Sequence, residues 1–118
     1  MNAISPQHYQ KHPSGLECIS VARDQTFCIG SALKYLWRAG HKGDRLEDLQ
    51  KSRQYLVWAI ENCDRIDSTH AVDRFLGWWM FGGDYDARDE DRIISRILRE
   101  DLHEALADLA DLIEDGDD

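Results

Sequence analysis

No proline follows Pro13 in this chain, and from there apolar residues recur at helical spacing almost to the end. A proline inside a helix removes a hydrogen bond, collides with the preceding turn and costs about 3 kcal/mol. Its absence leaves room for long helices, and the apolar pattern fills them. Ile93/Ile94, Ile97/Leu98, Leu102, Ala105/Leu106, Leu109 and Leu112/Ile113 form one stripe at the helical period. No segment alternates as a half-buried strand would. The expected fold class is therefore all-α, a compact bundle of about four to five helices. An irregular N-terminal segment precedes it, with turn signals at Ser5-Pro6 and Pro13-Ser14-Gly15.

The boundaries follow from caps and breakers. A short helix is expected from Leu16 to Arg23. A second runs from a cap at Asp24 to Ala39, with Phe27, Leu33, Leu36 and Trp37 as its apolar set. A third spans Arg45 to Arg65 and buries Leu46, Leu49, Leu56, Ile60 and Cys63. Ser68 or Thr69 starts a fourth, Ala71 to Phe81, which ends at Gly82-Gly83. Asp84 to Asp86 reads as a loop, and one last helix runs from Ala87 to Ile113. At 118 residues the chain is expected to be one domain, with a helical core over 8–66 and an acidic helix and tail over 84–118. No apolar run approaches a membrane span and no signal-peptide pattern opens the chain, so a cytoplasmic protein without membrane contact is expected. Cys18, Cys28 and Cys63 are an odd number without metal-ligand spacing, and read as reduced, small apolar residues.

Charge is unevenly spread. The net charge is −9, yet residues 1–83 carry ten Lys/Arg against nine Asp/Glu, whereas residues 84–118 carry four against fourteen. That balance argues against broad nucleic-acid binding, which needs a positive surface. Positive charge gathers at one place. Lys34, Arg38, Lys42, Arg45, Lys51 and Arg53 stand against Asp44, Glu47 and Asp48. Within this stretch Gly40 fits the position just past a helix end, where a positive φ is needed. Asp44 followed by Glu47 fits a capping box opening the next helix. The two helices are then joined by a loop over His41 to Gly43. Lys34 and Arg38 share a helix face one turn apart, where like charges repel. Either a ligand phosphate or a protein carboxylate such as Asp48 or Glu47 sits beside them.

The residues His8-Tyr9, Glu17-Cys18-Ile19, Phe27, Gly30, Ala32-Leu33-Lys34-Tyr35, Arg38-Ala39-Gly40, Lys42-Gly43-Asp44, Glu47-Asp48-Leu49 and Tyr55-Leu56 together resemble a family of small bacteriophage proteins. That family is catalogued as a domain of unknown function and commonly labelled nucleotide kinase. The resemblance covers roughly His8 to Leu56, and Ser31 departs from the asparagine usual in the family. It implies a nucleotide ligand held through its phosphates by Lys34, Arg38 and Lys42, with His8, Tyr9 and Tyr35 nearby. It also implies Mg²⁺ as a cofactor, with Glu17 and Asp48 as candidate ligands, and a location in the host cell cytoplasm. Catalysis as a nucleoside monophosphate kinase is the finer expectation, although the chain has no P-loop and no GxGxxG turn.

Two alternatives stand beside catalysis. The corner can sequester a signalling nucleotide of host defence without catalysis. Alternatively, the acidic C-terminal helix can act as a protein inhibitor or nucleic-acid mimic towards a host protein. Glu104, Asp108 and Asp111 form a stripe on that helix, read as a solvated face. Trp78-Trp79-Met80-Phe81 cannot all face one core, so Trp78, Trp79 and Phe81 are expected to contribute to a homo-oligomer interface.

Overall fold

A computed structural model of the chain describes residues 12–41, 43–82 and 87–116. Among the described residues there are six helices and no strand: α1 (Cys18–Ala22), α2 (Phe27–Arg38), α3 (Arg45–Glu61), α4 (His70–Phe81), α5 (Asp89–Leu98) and α6 (Leu102–Gly116). The all-α expectation holds. The loop expected at Asp84 to Asp86 lies outside the described residues.

α2 and α3 form an antiparallel pair that organises the rest. α6 packs on α3 and α5, while α5 also packs on α2 and α4, and α1 lies against α2 and α4. The core is continuous across these contacts, with Ile29, Leu33, Leu36, Leu56, Phe75, Ile93, Ile94, Ile97 and Leu109 fully buried. Each such side chain contributes about 1.5–3 kcal/mol through its removal from water. Small residues let α2 and α3 approach closely. Ala32 and Ala59 are buried at the seam, and the buried Ser52 hydroxyl donates to the Ala32 carbonyl at 2.9 Å.

The corner between α2 and α3 forms as its residues dictate. Gly40 has φ +85°, and Asp44 accepts from the Glu47 backbone N–H at 3.3 Å. Only this half of the capping box forms, because the Glu47 carboxylate turns to Lys51 at 2.8 Å instead. Gly40→Ala would force a Cβ into the left-handed region, at about 1–2 kcal/mol. A thermal melt should show a Tm lower by roughly 5 °C, and an unchanged Tm would refute this account of the corner.

Four expectations need correction. Thr26, not Asp24, caps α2. Its hydroxyl accepts from Ile29 N–H at 3.2 Å and donates to Asp64 at 2.7 Å, a tertiary bond that local sequence does not reveal. Phe27 is not core but 77 % exposed, and Cys63 is likewise exposed, at the end of α3, with φ +57°. The single last helix is two. Glu100 takes φ +62°, and Asp101 N–H bonds back to the Arg96 carbonyl at 2.9 Å, closing α5. No glycine marks this break. The Glu100 carboxylate is instead held by the Arg65 guanidinium and by Ile66 N–H at 2.8 Å.

Candidate functional site

The outer side of the α2–α3 corner carries Lys34 and Arg38 one turn apart on α2, as their spacing predicts, with the Tyr35 ring beside Lys34. Arg38 donates through Nε to the Asp48 carboxylate at 3.2 Å, and Asp48 is almost wholly buried while the Arg38 side chain is 45 % exposed. Of the two partners open from sequence, a protein carboxylate is therefore present. The guanidinium is also backed by Gly43 (φ +74°), where an added Cβ would come within 3.4 Å of Nη2. Lys34 is exposed, with Nζ 5.4 Å from the Tyr35 ring centre, and Lys51 Nζ lies 5.5 Å from the same ring. Among the described residues Lys34 has no carboxylate partner within ion-pair distance, whereas Lys51 is paired with Glu47. His8, Tyr9 and Lys42 lie outside the described residues.

Asp48, expected as a metal ligand, spends its carboxylate on Arg38, and Glu17 is exposed at the start of α1. No group of three or more His, Cys, Asp or Glu side chains among the described residues is placed to hold a metal ion. Burial pushes the Cys18 thiol up to about 11, against the opposing charge of Lys34. It is thus protonated at neutral pH and a poor nucleophile.

The inner side of the corner is built differently. A cleft of about 410 Å³ lies between Gly40 and His41, Arg45, and the start of α5 at Arg88, Asp89 and Glu90. Its charges are matched. Arg45 donates to the buried Glu90 at 2.8 Å. Arg88 donates to the Ala39 carbonyl at 2.8 Å and the Trp37 carbonyl at 3.3 Å, capping the negative end of α2, and also meets Asp91. Burial lowers the His41 pKa, and the nearby Arg88 charge adds to this. The imidazole is therefore neutral at pH 7, and this side offers little net attraction to an anion.

Beneath the cleft lies a polar lock that the sequence reading missed. His12 Nε2 bonds to Asp91 at 2.8 Å, with both side chains buried. The His12 ring is enclosed by Trp37, Trp78 and Phe75, at centroid distances of 4.5, 4.8 and 5.6 Å. Burial alone would raise the Asp91 carboxyl. The hydrogen bonds from His12 and the Arg88 backbone, with the Arg88 charge, outweigh it and hold the pKa below the ordinary 3.8. A signal was present: Glu90 and Asp91 stand three and four residues before Ile93, Ile94 and Ser95, inside the apolar stripe of α5.

The lock also divides the aromatic run of α4. Trp78 belongs to the His12 enclosure, Trp79 packs at the core edge, and Met80 and Phe81 are exposed. Trp78 is thus largely an interior residue rather than a surface one. On α6, Glu104 and Asp111 are exposed, but Asp108 accepts from Arg96.

Residues 4–57 are similar to a family described as a protein of unknown function (DUF3310), a match that begins ahead of α1 and ends within α3. No curated protein and no solved structure gives a match. No helix among the described residues is long and apolar enough to cross a membrane.

Proposed function

We propose that the chain binds a nucleotide through its phosphates on the outer side of the α2–α3 corner, with Lys34 and Arg38 as the gripping cations. One observation carries this reading. Arg38 is fixed by a buried carboxylate at Nε and backed by a glycine, while nearly half of its side chain stays open to solvent. A guanidinium already oriented on one edge loses less freedom when the other edge meets a phosphate. Lys34, one turn away and unpaired among the described residues, adds a mobile charge. Arg45 is held by the buried Glu90 in the same way on the inner side, but there Asp89 and a neutral His41 stand beside it, whereas on the outer side Lys34 adds a cation. The resemblance to phage proteins labelled nucleotide kinase supports the same ligand class. It also supports a cytoplasmic setting in an infected cell.

The test is to incubate the protein with nucleotides with and without Mg²⁺, measure binding by calorimetry, then denature and chromatograph the nucleotide. Phosphorylated product marks a kinase, and bound but unchanged ligand marks a sequestering protein. Arg38→Ala alone is a poor probe, because it leaves Asp48 buried without its partner. Lys34→Gln removes an exposed charge worth about 1 kcal/mol, so affinity should fall about fivefold. Arg38→Gln combined with Asp48→Asn should weaken binding further. Native affinity retained in both variants, once shown to be folded, would sink the proposal.

A further inference from the structure

Beyond the phosphate-gripping cations, the outer α2–α3 face carries an aromatic row in which Tyr55 packs at the core edge and Phe27 and Trp58 stand clear of it. Phe27 is 77 % exposed and Trp58 46 %. Both meet Tyr55 edge-on, at 5.7 and 5.5 Å, and Tyr55 lies parallel to Tyr35 within 9° at 5.9 Å. The apolar faces of α2 and α3 are already buried elsewhere, on Ile29, Leu33, Leu36, Leu49 and Leu56. Exposing a phenylalanine and a tryptophan on the opposite side gains nothing for folding.

The row has a polarity. Phe27, Tyr55 and Trp58 form an apolar end. Lys34 and Lys51 flank Tyr35 in the middle, and Arg38 with Asp48 forms the far end at the corner. Along the helix axis Phe27 lies about 10 Å from Lys34 and about 16 Å from Arg38, a span that an extended nucleoside triphosphate matches. A flat, unsaturated ring at the apolar end would therefore have its attached anionic groups led along cations towards Arg38. A purely apolar partner would gain nothing from two ammonium groups placed over the middle ring.

We infer that Phe27, Tyr55 and Trp58 form a stacking subsite for the nucleobase of the ligand whose phosphates reach Lys34 and Arg38. This rests on the proposed phosphate site but names residues and a ligand part that it does not. Base–aromatic stacking is worth about 1–3 kcal/mol per base and tolerates any base. The subsite thus adds affinity without selecting a particular base, whereas the cations set the requirement for phosphate.

The experiment compares inorganic triphosphate, adenosine triphosphate and adenosine by calorimetry on the whole chain, because only an extended triphosphate reaches from Phe27 towards Arg38. Adenosine triphosphate should bind about five- to 150-fold more tightly than inorganic triphosphate. Phe27→Ala and, separately, Trp58→Ala should each reduce that ratio. Both side chains are exposed, so the fold should survive, as a thermal melt can verify. Equal affinities for the two phosphates would overturn the base subsite and leave the phosphate reading standing. Binding of adenosine without binding of inorganic triphosphate would support the subsite and overturn the phosphate reading. A ratio unchanged in both folded variants, or no binding of any of the three, would overturn the subsite.

Discussion

Asp91→Ala should lower the unfolding free energy by about 3–5 kcal/mol, because it takes a buried carboxylate from two hydrogen-bond donors and from the Arg88 guanidinium. Asp91 is completely buried and receives His12, the Arg88 backbone and the Arg88 guanidinium. Removing it leaves His12 enclosed by three aromatic rings with no carboxylate to meet. Arg88 also loses the contact that steadies it against the Trp37 and Ala39 carbonyls. The loss therefore reaches the end of α2 and, through Ala39, the corner itself. For a domain of ordinary stability this is a third or more of the total. Urea denaturation followed by far-UV signal checks it, and a loss under about 1 kcal/mol would contradict the assignment. The pH dependence has a definite sign. Because the folded pKa of Asp91 is depressed, its contribution is fully present above the unfolded value near 3.8 and is lost as pH falls through the folded value. Glu100, held below its ordinary value first by Arg65 and then by Ile66 N–H, works in the same direction. Stability should thus decline on acidification below about pH 4, and in Asp91→Ala that decline should be shallower.

Phe75→Ala should cost a similar amount, about 3–5 kcal/mol, by opening a cavity under the same lock. Phe75 has no exposed surface and touches Trp37, Trp78 and His12 through ring contacts of 5.4 to 5.7 Å. Such aromatic pairs add to the burial itself. The loss should appear in denaturation midpoints, with a red shift of tryptophan emission as Trp37 and Trp78 meet water. Wild-type stability and emission in this variant would show that α4 is not anchored through Phe75.

The comparison of sequence with structure turns on how far each signal reaches. Gly40 and Asp44 were readable because a positive-φ stop and a side-chain cap act within a few residues. Thr69 caps α4 for the same reason, accepting from Val72 N–H at 3.1 Å. Thr26 prevailed over Asp24 because Asp64 and Asp67, from the far end of α3, fix the turn through Thr26 and Gln25. The break at Glu100 was hidden because a distant arginine, Arg65, replaces the usual glycine signal with an ion pair. Helical periodicity located the core but not its polar members. His12, Glu90 and Asp91 are buried only because partners from other elements satisfy them. At the corner, spacing placed Lys34 and Arg38 on one face, and only the fold shows that Asp48 already holds one edge of Arg38.

The most direct measurement of the central claim is an amide NMR titration of the labelled protein with adenosine triphosphate. Binding at the corner predicts saturable shifts concentrated at Lys34, Tyr35, Arg38, Gly40 and Gly43, with α6 unaffected. An unchanged spectrum at millimolar nucleotide, or shifts confined to α5 and α6, would contradict it.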